Sequence, residues 1–242
     1  MPSTAAPSPQ APTRHRGVGA QRLSTAALCA VALVFRFEWG LGTVTFEPAN
    51  FFAYLTIQSN IAYVLVTVIA GVLAWRGSPM SRRFDTLRAG VLTCTVTAGL
   101  VFAVIVLQST SRGIRVDVPW SDVVLHFVLP VVALADWLLT ARSRTPKRVV
   151  LVVLGYVGVW GGLTMFRGSV TGWYPYYFLD PSQTNSPAEF LLLSGAAITV
   201  FAVIGLLVTV TRTGLSRWPE ERTARDSPAP SRAARRRLHQ QA

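Results

Sequence analysis

The sequence predicts an all-α integral membrane protein built as a bundle of six transmembrane helices. Of its 242 residues, 51% are hydrophobic and only 14% are charged, and the mean hydropathy is +0.41. The apolar residues fall into long blocks, whereas a soluble helix mixes in polar positions so that one face meets water. A hydrocarbon core about 30 Å thick needs about 20 consecutive apolar residues. The chain carries six blocks of roughly that length.

The bounds of the six spans are set by where the apolar blocks begin and end. The spans are predicted at about 23–41, 51–75, 87–108, 121–141, 149–166 and 188–211. Residues 1–22 are rich in Pro, Ser, Ala and Thr, and we expect them to be disordered because they carry few large apolar groups. The basic tail at 212–242 is expected to be disordered for the same reason. The six-helix domain therefore covers 23–211.

The distribution of Lys and Arg predicts the orientation of the bundle. Nineteen of the 23 basic residues lie on the side of the two termini, and three lie on the other side, namely Arg112, Arg115 and Arg167. Basic loops stay in the cytoplasm, so both termini are expected on the cytoplasmic side. The membrane itself is expected to be the inner or plasma membrane of the cell.

Arg supplies 22 of the 23 basic residues, which favours a GC-rich, bacterial source. The basic tail is expected to meet anionic lipid headgroups, and no helix carries the basic stripe of a nucleic-acid-binding protein.

Three spans, the first, second and fourth, carry polar residues at a similar predicted depth. Thr56 and His126 each lie five residues into their spans, about 8 Å of helix rise from the outer end. Thr56, Ser59 and Asn60 are spaced to share one helix face, and Asp122 lies one turn before His126. Polar and ionisable groups are costly within lipid and by default mark a functional site.

The residue types in this layer suit acyl transfer. The imidazole of His126, the only histidine within a span, can act as general base for a hydroxyl such as that of Thr56 or Ser59. A carboxylate could orient this imidazole, and amide groups could stabilise an oxyanion. The residues that would supply these supporting groups are Asp122, Asn60 and Gln58. No cofactor and no metal site are expected, since the spans hold a single histidine and no paired cysteines.

Structural roles compete for several of these residues. Threonine in a membrane helix often bonds back to the carbonyl four residues earlier, and amides such as that of Asn60 can simply join helices. Arg36 and Glu38, near the outer end of the first span, would reach for headgroups. Asp136 would pair with a basic loop residue. Small residues in the fifth span are expected to let two helices approach closely, namely Gly155, Gly158, Gly161 and Gly162.

Three blocks of sequence resemble one known family. The blocks are Tyr54-Leu55-Thr56-Ile57-Gln58-Ser59-Asn60, then His126 followed by Pro130 and Asp136-Trp137, then Trp173-Tyr174-Pro175-Tyr176-Tyr177-Phe178-Leu179-Asp180. In this order they are similar to the androgen-induced and androgen-dependent membrane proteins and their bacterial relatives. That family consists of multi-pass threonine hydrolases that cleave branched fatty-acid esters of hydroxy fatty acids. The resemblance implies a nucleophile at Thr56 and a base at His126, and the Gln-Ser-Asn after Thr56 resembles the bacterial branch.

The leading expectation is therefore a threonine-type lipid-ester hydrolase whose site faces the outer leaflet. The second is a transporter, or a protein that binds lipids or small molecules with the same polar layer but without covalent chemistry. The third is a structural or accessory membrane protein. The aromatic block with Trp173, Tyr174 and Tyr176 lies in an outer loop, where it forms either a substrate entrance or a set of interfacial rings.

Overall fold

The computed structural model describes residues 10–44, 46–109, 111, 113, 116–140 and 145–210, and within these ranges the regular structure is entirely helical. Six helices are long and apolar enough to cross a membrane. We number all the α-helices along the chain: α1 Gln10–Leu41, the short α2 Pro48–Ala53, α3 Leu55–Trp75, α4 Arg82–Ser109, α5 Trp120–Thr140, α6 Arg148–Thr171 and α7 Pro187–Val210. A single 3₁₀ turn, Tyr177–Leu179, lies between α6 and α7. The predicted fold class, a multi-pass bundle of six spanning helices, is confirmed.

The first helix begins earlier than the sequence predicted. α1 starts at Gln10, so 10–22, which we expected to be disordered, is helical. Within this segment Arg22 is docked on the bundle, because it is only 2% exposed and binds Asp136 of α5. A contact between residues so far apart in the chain leaves no mark in local hydropathy. Residues 1–9 and the basic tail lie outside the described residues.

The second span also begins at a different point. Its apolar block is divided into α2 and α3 by Tyr54, whose backbone is extended (φ −64°, ψ 128°). Thr56 is consequently the second residue of α3, rather than five residues into a helix as predicted. The first backbone N–H groups of a helix have no partner within the helix. The break therefore leaves the N–H groups of Leu55 and Thr56 without partners inside α3.

The bundle is organised around α4, which packs against α3, α5, α6 and α7. On the other side, α1 lies along α3 and also contacts α5. The main core is formed by small and large apolar side chains from these helices, including Cys29, Ala32, Leu92, Leu129 and Trp137. Because α4 touches four partners, residues of α4 connect the elements that hold the predicted site.

Four buried charges join three helices at the end of the bundle that carries the basic loops. Asp136 of α5 accepts from Arg22 Nε of α1 at 2.9 Å and from the Arg88 guanidinium of α4 at 2.8 Å. Arg88 also binds Asp85, at 3.2 Å. Arg22 makes further hydrogen bonds to Thr140 and to the carbonyl of Ala70. Pairing of Asp136 with basic residues is confirmed, and the charges compensate one another.

The glycines of α6 do not have the role that the sequence predicted. Apart from its chain neighbours and the backbone of its own helix, a Cβ atom at Gly155, Gly158, Gly161 or Gly162 would meet no heavy atom of the described residues within 4 Å. No second helix of the described chain therefore approaches α6 closely at these positions. The predicted tight helix contact is therefore absent within the described part of the chain, and three of the four glycines, Gly158, Gly161 and Gly162, line an open space instead.

Candidate functional site

The space beside the α6 glycines is a cavity of about 250 Å³. Its walls come from α4, α6 and α7, with the start of α3 and the loop after α6 completing it. Within the described residues, most of the lining is aliphatic or aromatic and no charged side chain contributes to it. Three hydroxyl groups are the polar side chains of the lining, and they belong to Thr56, Tyr176 and Ser194. The site is therefore an apolar chamber with few polar contacts.

Thr56 and Tyr176 meet at the wall of this cavity. The Thr56 hydroxyl lies 3.3 Å from the phenol oxygen of Tyr176. The backbone N–H groups of Leu55 and Thr56 lie near the same phenol oxygen and favour its charged form. These N–H groups are free for this contact because α3 starts at Leu55, after the extended Tyr54. A hydroxyl group and two amides at a helix N-terminus, where the helix dipole is positive, thus converge on one point.

Aromatic neighbours fix the position of Tyr176. Its ring is stacked on Phe178 (5.3 Å between centroids, 1° between planes) and lies 5.8 Å from Tyr54 and 6.0 Å from Trp160. The Trp160 indole N–H donates to the carbonyl of Ala53, which ties α6 to the end of α2. Burial raises the pKa of Tyr176 to about 12. The phenol is therefore neutral at physiological pH and keeps an O–H that it can donate.

His126 lies in a π-helical turn, Val124–Val128, within α5. Its imidazole is stacked on Phe102 of α4, with 3.7 Å between the ring centroids and 10° between the planes. The histidine is 8% exposed, and its Nδ1 atom has no hydrogen-bond partner among the described residues. Such π-turns are often found at functional sites. A buried nitrogen without a partner is unusual enough to need an explanation.

Thr56 and His126 are close to a common neighbour but are not bonded to each other. No hydrogen bond joins them within the described part of the chain. Phe102 is the link, because its side chain lines the cavity with Thr56 and also stacks on His126. His126 itself is not part of the cavity lining. The ring of Phe102 would have to move before the imidazole of His126 could reach the cavity.

Asp122 is paired with an arginine. Its carboxylate accepts from Arg36 Nε of α1 at 2.8 Å, and no hydrogen bond joins it to His126 in the described residues. The Arg36 guanidinium also lies over the ring of Trp39, 4.6 Å from the centroid. Asp122 thus joins α5 to α1, and Arg36 has a protein partner in addition to any headgroup.

The polar residues after Thr56 mainly hold the first turn of α3. Ser59 Oγ and Asn60 Nδ2 both donate to the backbone carbonyl of Thr56, each at 2.9 Å. Gln58 lies on another face, where it accepts from the Tyr156 phenol at 2.7 Å and donates to the carbonyl of Phe52. In this conformation the Ser59 and Asn60 donors bind backbone, so the candidate oxyanion donors are the Tyr176 phenol and the N–H groups beside it.

The three aromatic residues predicted as a substrate entrance have different positions. Tyr176 lines the cavity, whereas Trp173 and Tyr174 do not. Trp173 packs edge-on against Tyr54 and beneath the Arg167 guanidinium, 5.0 Å from the ring centroid. Tyr174 lies directly against Gly168, where a Cβ atom would clash with its ring. These two rings therefore brace the loop that carries Tyr176.

Two features of the site were missed in the sequence. Phe102 is one apolar residue among many in a spanning helix, so nothing local marks it. The free N–H groups of α3 depend on the break at Tyr54, which neither glycine nor proline marks.

Comparison of the chain with protein-family models, with curated proteins and with solved structures finds no match.

Proposed function

We propose that this protein hydrolyses a lipid ester, with Thr56 as the nucleophile. The observation that carries the proposal is the convergence at one point of an uncharged, apolar cavity. There the Thr56 hydroxyl meets the N–H groups of Leu55 and Thr56 and the phenol of Tyr176. A nucleophile and oxyanion donors at one point are what acyl transfer needs. The resemblance of the Thr56 and His126 motifs to a family of threonine hydrolases supports the same pair.

The chemistry would proceed through an acyl-threonine. Thr56 Oγ1 attacks the ester carbonyl carbon while its proton passes to a base, and the carbonyl oxygen becomes an oxyanion. The N–H groups of Leu55 and Thr56, together with the Tyr176 O–H, would donate hydrogen bonds to that oxygen. Collapse of the intermediate releases the alcohol, which takes the proton back from the base. Water then attacks the acyl-threonine, and the same base takes and returns a second proton.

His126 is the base in this proposal, and its use requires a movement of Phe102. The Nδ1 atom of the imidazole has no hydrogen-bond partner in the described residues, so it is available to accept a proton. Rotation of the Phe102 ring out of the stack would bring the imidazole into contact with the cavity that Thr56 lines. Asp122 would act through Arg36 and the position of α5, rather than by a direct hydrogen bond to the imidazole. By the charge bias of the loops, the site would face the outer leaflet of a cell membrane.

A binding or transport function without covalent chemistry is the alternative. It is favoured by the Phe102–His126 stack, which leaves Thr56 with no base within hydrogen-bonding distance among the described residues. Under that alternative, the Thr56 hydroxyl and the Tyr176 phenol would only bind the ligand's polar atoms. The two functions differ in whether Thr56 ever forms a covalent bond.

Covalent labelling separates the two functions. A long-chain fluorophosphonate should form an adduct with the purified protein, and mass spectrometry should locate it on Thr56. Ser59→Ala and Ser194→Ala should still be labelled, while Thr56→Ala should not. Ser194 is the informative control, because its hydroxyl also lines the cavity. An adduct on Ser194, or none on the folded wild-type protein, would contradict the proposed nucleophile.

A further inference from the structure

The cavity also indicates which kind of molecule it accepts. We infer that it holds one hydrocarbon tail of a neutral lipid, and that Gly158, Gly161 and Gly162 of α6 determine the size of that tail. This inference deepens the proposed function, because it names the substrate class of the same site. It concerns binding, however, so it can be tested without turnover.

The chemistry of the lining excludes charged ligands. Among the described residues, no Lys, Arg, Asp, Glu or His contributes to the walls, so a carboxylate or phosphate inside would have no counter-charge there. The walls are built from side chains such as Val101, Ile105 and Phe201. The neighbouring hydroxyls of Thr56 and Tyr176 provide hydrogen bonds on one side. An uncharged carbonyl attached to an apolar tail fits both features.

Three glycines on the α6 wall make room for that tail. Gly158, Gly161 and Gly162 line the cavity, and a Cβ atom at any of them would project into open space. Gly158 and Gly162 are exposed, and Ile198 on the α7 wall is 48% exposed. The cavity is therefore open at the surface between two membrane-spanning helices. A tail could enter it sideways from the lipid.

The occupant must be selected by more than its apolar character. Surrounding lipid tails are as apolar as the cavity, so burial of hydrocarbon gives little preference for the site. Two other factors remain, namely the fit of the tail to the walls and a hydrogen bond from Thr56 or Tyr176 to the carbonyl. An ester carbonyl in the hydrocarbon region has few other donors available. The lipid accepted by the cavity therefore needs a tail that fits and a neutral acceptor at the hydroxyls.

A photoreactive ketone provides a direct test of binding. The probe is a long-chain alkyl methyl ketone with a diazirine in its tail and a terminal alkyne, which keeps the carbonyl but cannot be hydrolysed. The full-length protein, in lipid nanodiscs, would be irradiated with it, and the cross-linked peptides mapped by mass spectrometry. We expect cross-links on the parts of α4, α6 and α7 that line the cavity. Thr56→Ala, which removes the proposed nucleophile, should still be cross-linked through the Tyr176 contact.

Two matched pairs of variants decide the role of the cavity. Gly161→Leu fills the chamber and should lose most of the cross-linking, whereas Gly155→Leu, on the same helix but outside the lining, should keep it. On the opposite wall, Ala197→Leu should lose cross-linking and its neighbour Ala196→Leu should keep it. If Gly161→Leu fails to fold, the Ala197 and Ala196 pair decides the question.

The outcomes separate the two proposals. Cross-linking lost in both lining variants, with no ester turnover by the wild-type protein, would keep the tail-binding inference and contradict hydrolysis. Equal cross-linking in the lining variants and their controls would overturn the inference, even if the protein hydrolyses esters. Cross-links confined to the outer surface of the bundle would overturn it as well.

Discussion

Tyr176 performs several tasks with a single hydroxyl group. Its phenol lies 3.3 Å from the Thr56 hydroxyl and near two backbone N–H groups, and burial keeps it neutral. Its ring is held by stacking on Phe178, independently of the hydroxyl. The position of the ring and the chemistry of the hydroxyl can therefore be separated by one substitution.

Tyr176→Phe should lower ester turnover by about 10²-fold, the usual effect of losing one oxyanion donor. The ring contacts remain, so the thermal stability of the protein in detergent should change little. Turnover and melting temperature should be measured on the same preparation, with Tyr174→Phe as the matched control because Tyr174 does not line the cavity. Equal rates in the two variants would show that the Tyr176 phenol has no part in the reaction.

The sequence pointed to some residues of the candidate site and not to others, for a physical reason. Thr56 and His126 stand out because polar side chains in an apolar helix are costly and therefore conspicuous. Tyr176 was predicted only as one of three aromatic residues of a possible substrate entrance, and Phe102 was not predicted at all. What makes these two important is their contact with residues far away in the chain. Hydropathy and local spacing carry no record of such contacts.

At the scale of the helices, the position of His126 depends on how closely α4 approaches α5. A Cβ atom at Gly99 would clash with the His126 backbone carbonyl, and it would also lie 3.1 Å from the ring of Pro130. A backbone atom cannot move aside as the end of a flexible side chain can. Glycine at 99 therefore permits the contact that places the imidazole on Phe102.

Gly99→Ala should destabilise the protein by about 1–3 kcal/mol, the usual cost of overpacking a core. Gly90→Ala is the matched control on the same helix, because its Cβ would make an ordinary contact with Val153 at 3.6 Å. Alanine favours a helix over glycine by about 1 kcal/mol, so Gly90→Ala should be neutral or stabilising. Thermal unfolding in detergent measures both. Equal melting temperatures for Gly99→Ala and Gly90→Ala would show that α4 and α5 can move apart without loss of stability.

The buried charges at the opposite end also act between helices. Asp136→Asn would leave Arg22 of α1 without its carboxylate partner and Arg88 with only Asp85. Breaking a buried ion pair from one side typically costs about 3–5 kcal/mol. We expect a large loss of folded protein in detergent, whereas Glu38→Gln, at an exposed carboxylate, should have little effect. A similar yield and melting temperature for the two variants would contradict a stabilising role of the network.

Helix number was predictable from the sequence, but the ends of some helices were not. Hydropathy gives the number of spans because each must cover the hydrocarbon core. α1 instead continues toward the N-terminus beyond Arg22, which is paired with Asp136, and α3 starts after the extended backbone of Tyr54. Neither a contact between distant residues nor a break in the backbone changes the hydropathy of an apolar block.

For the whole molecule, the charge distribution predicts an orientation that determines which leaflet the site faces. In a background lacking Cys29 and Cys94, cysteines introduced by Thr43→Cys or Ser182→Cys should react with an impermeant maleimide in intact cells. Ser78→Cys should not react until the membrane is opened. Thr43 and Ser182 are exposed in the structure, so access to the reagent does not require unfolding. The reverse labelling pattern would place the cavity on the cytoplasmic side.

The central claim, that Thr56 and His126 act together on an ester, is tested most directly by a double-mutant cycle. Turnover of a neutral lipid ester should be measured for the wild type, Thr56→Ala, His126→Ala and the double variant, normalised to folded protein. If both residues serve one step, each single substitution should abolish most of the rate, and the double variant should be scarcely slower than either. Wild-type turnover by Thr56→Ala would contradict the account, and independent losses that multiply in the double variant would contradict the coupling of the two residues.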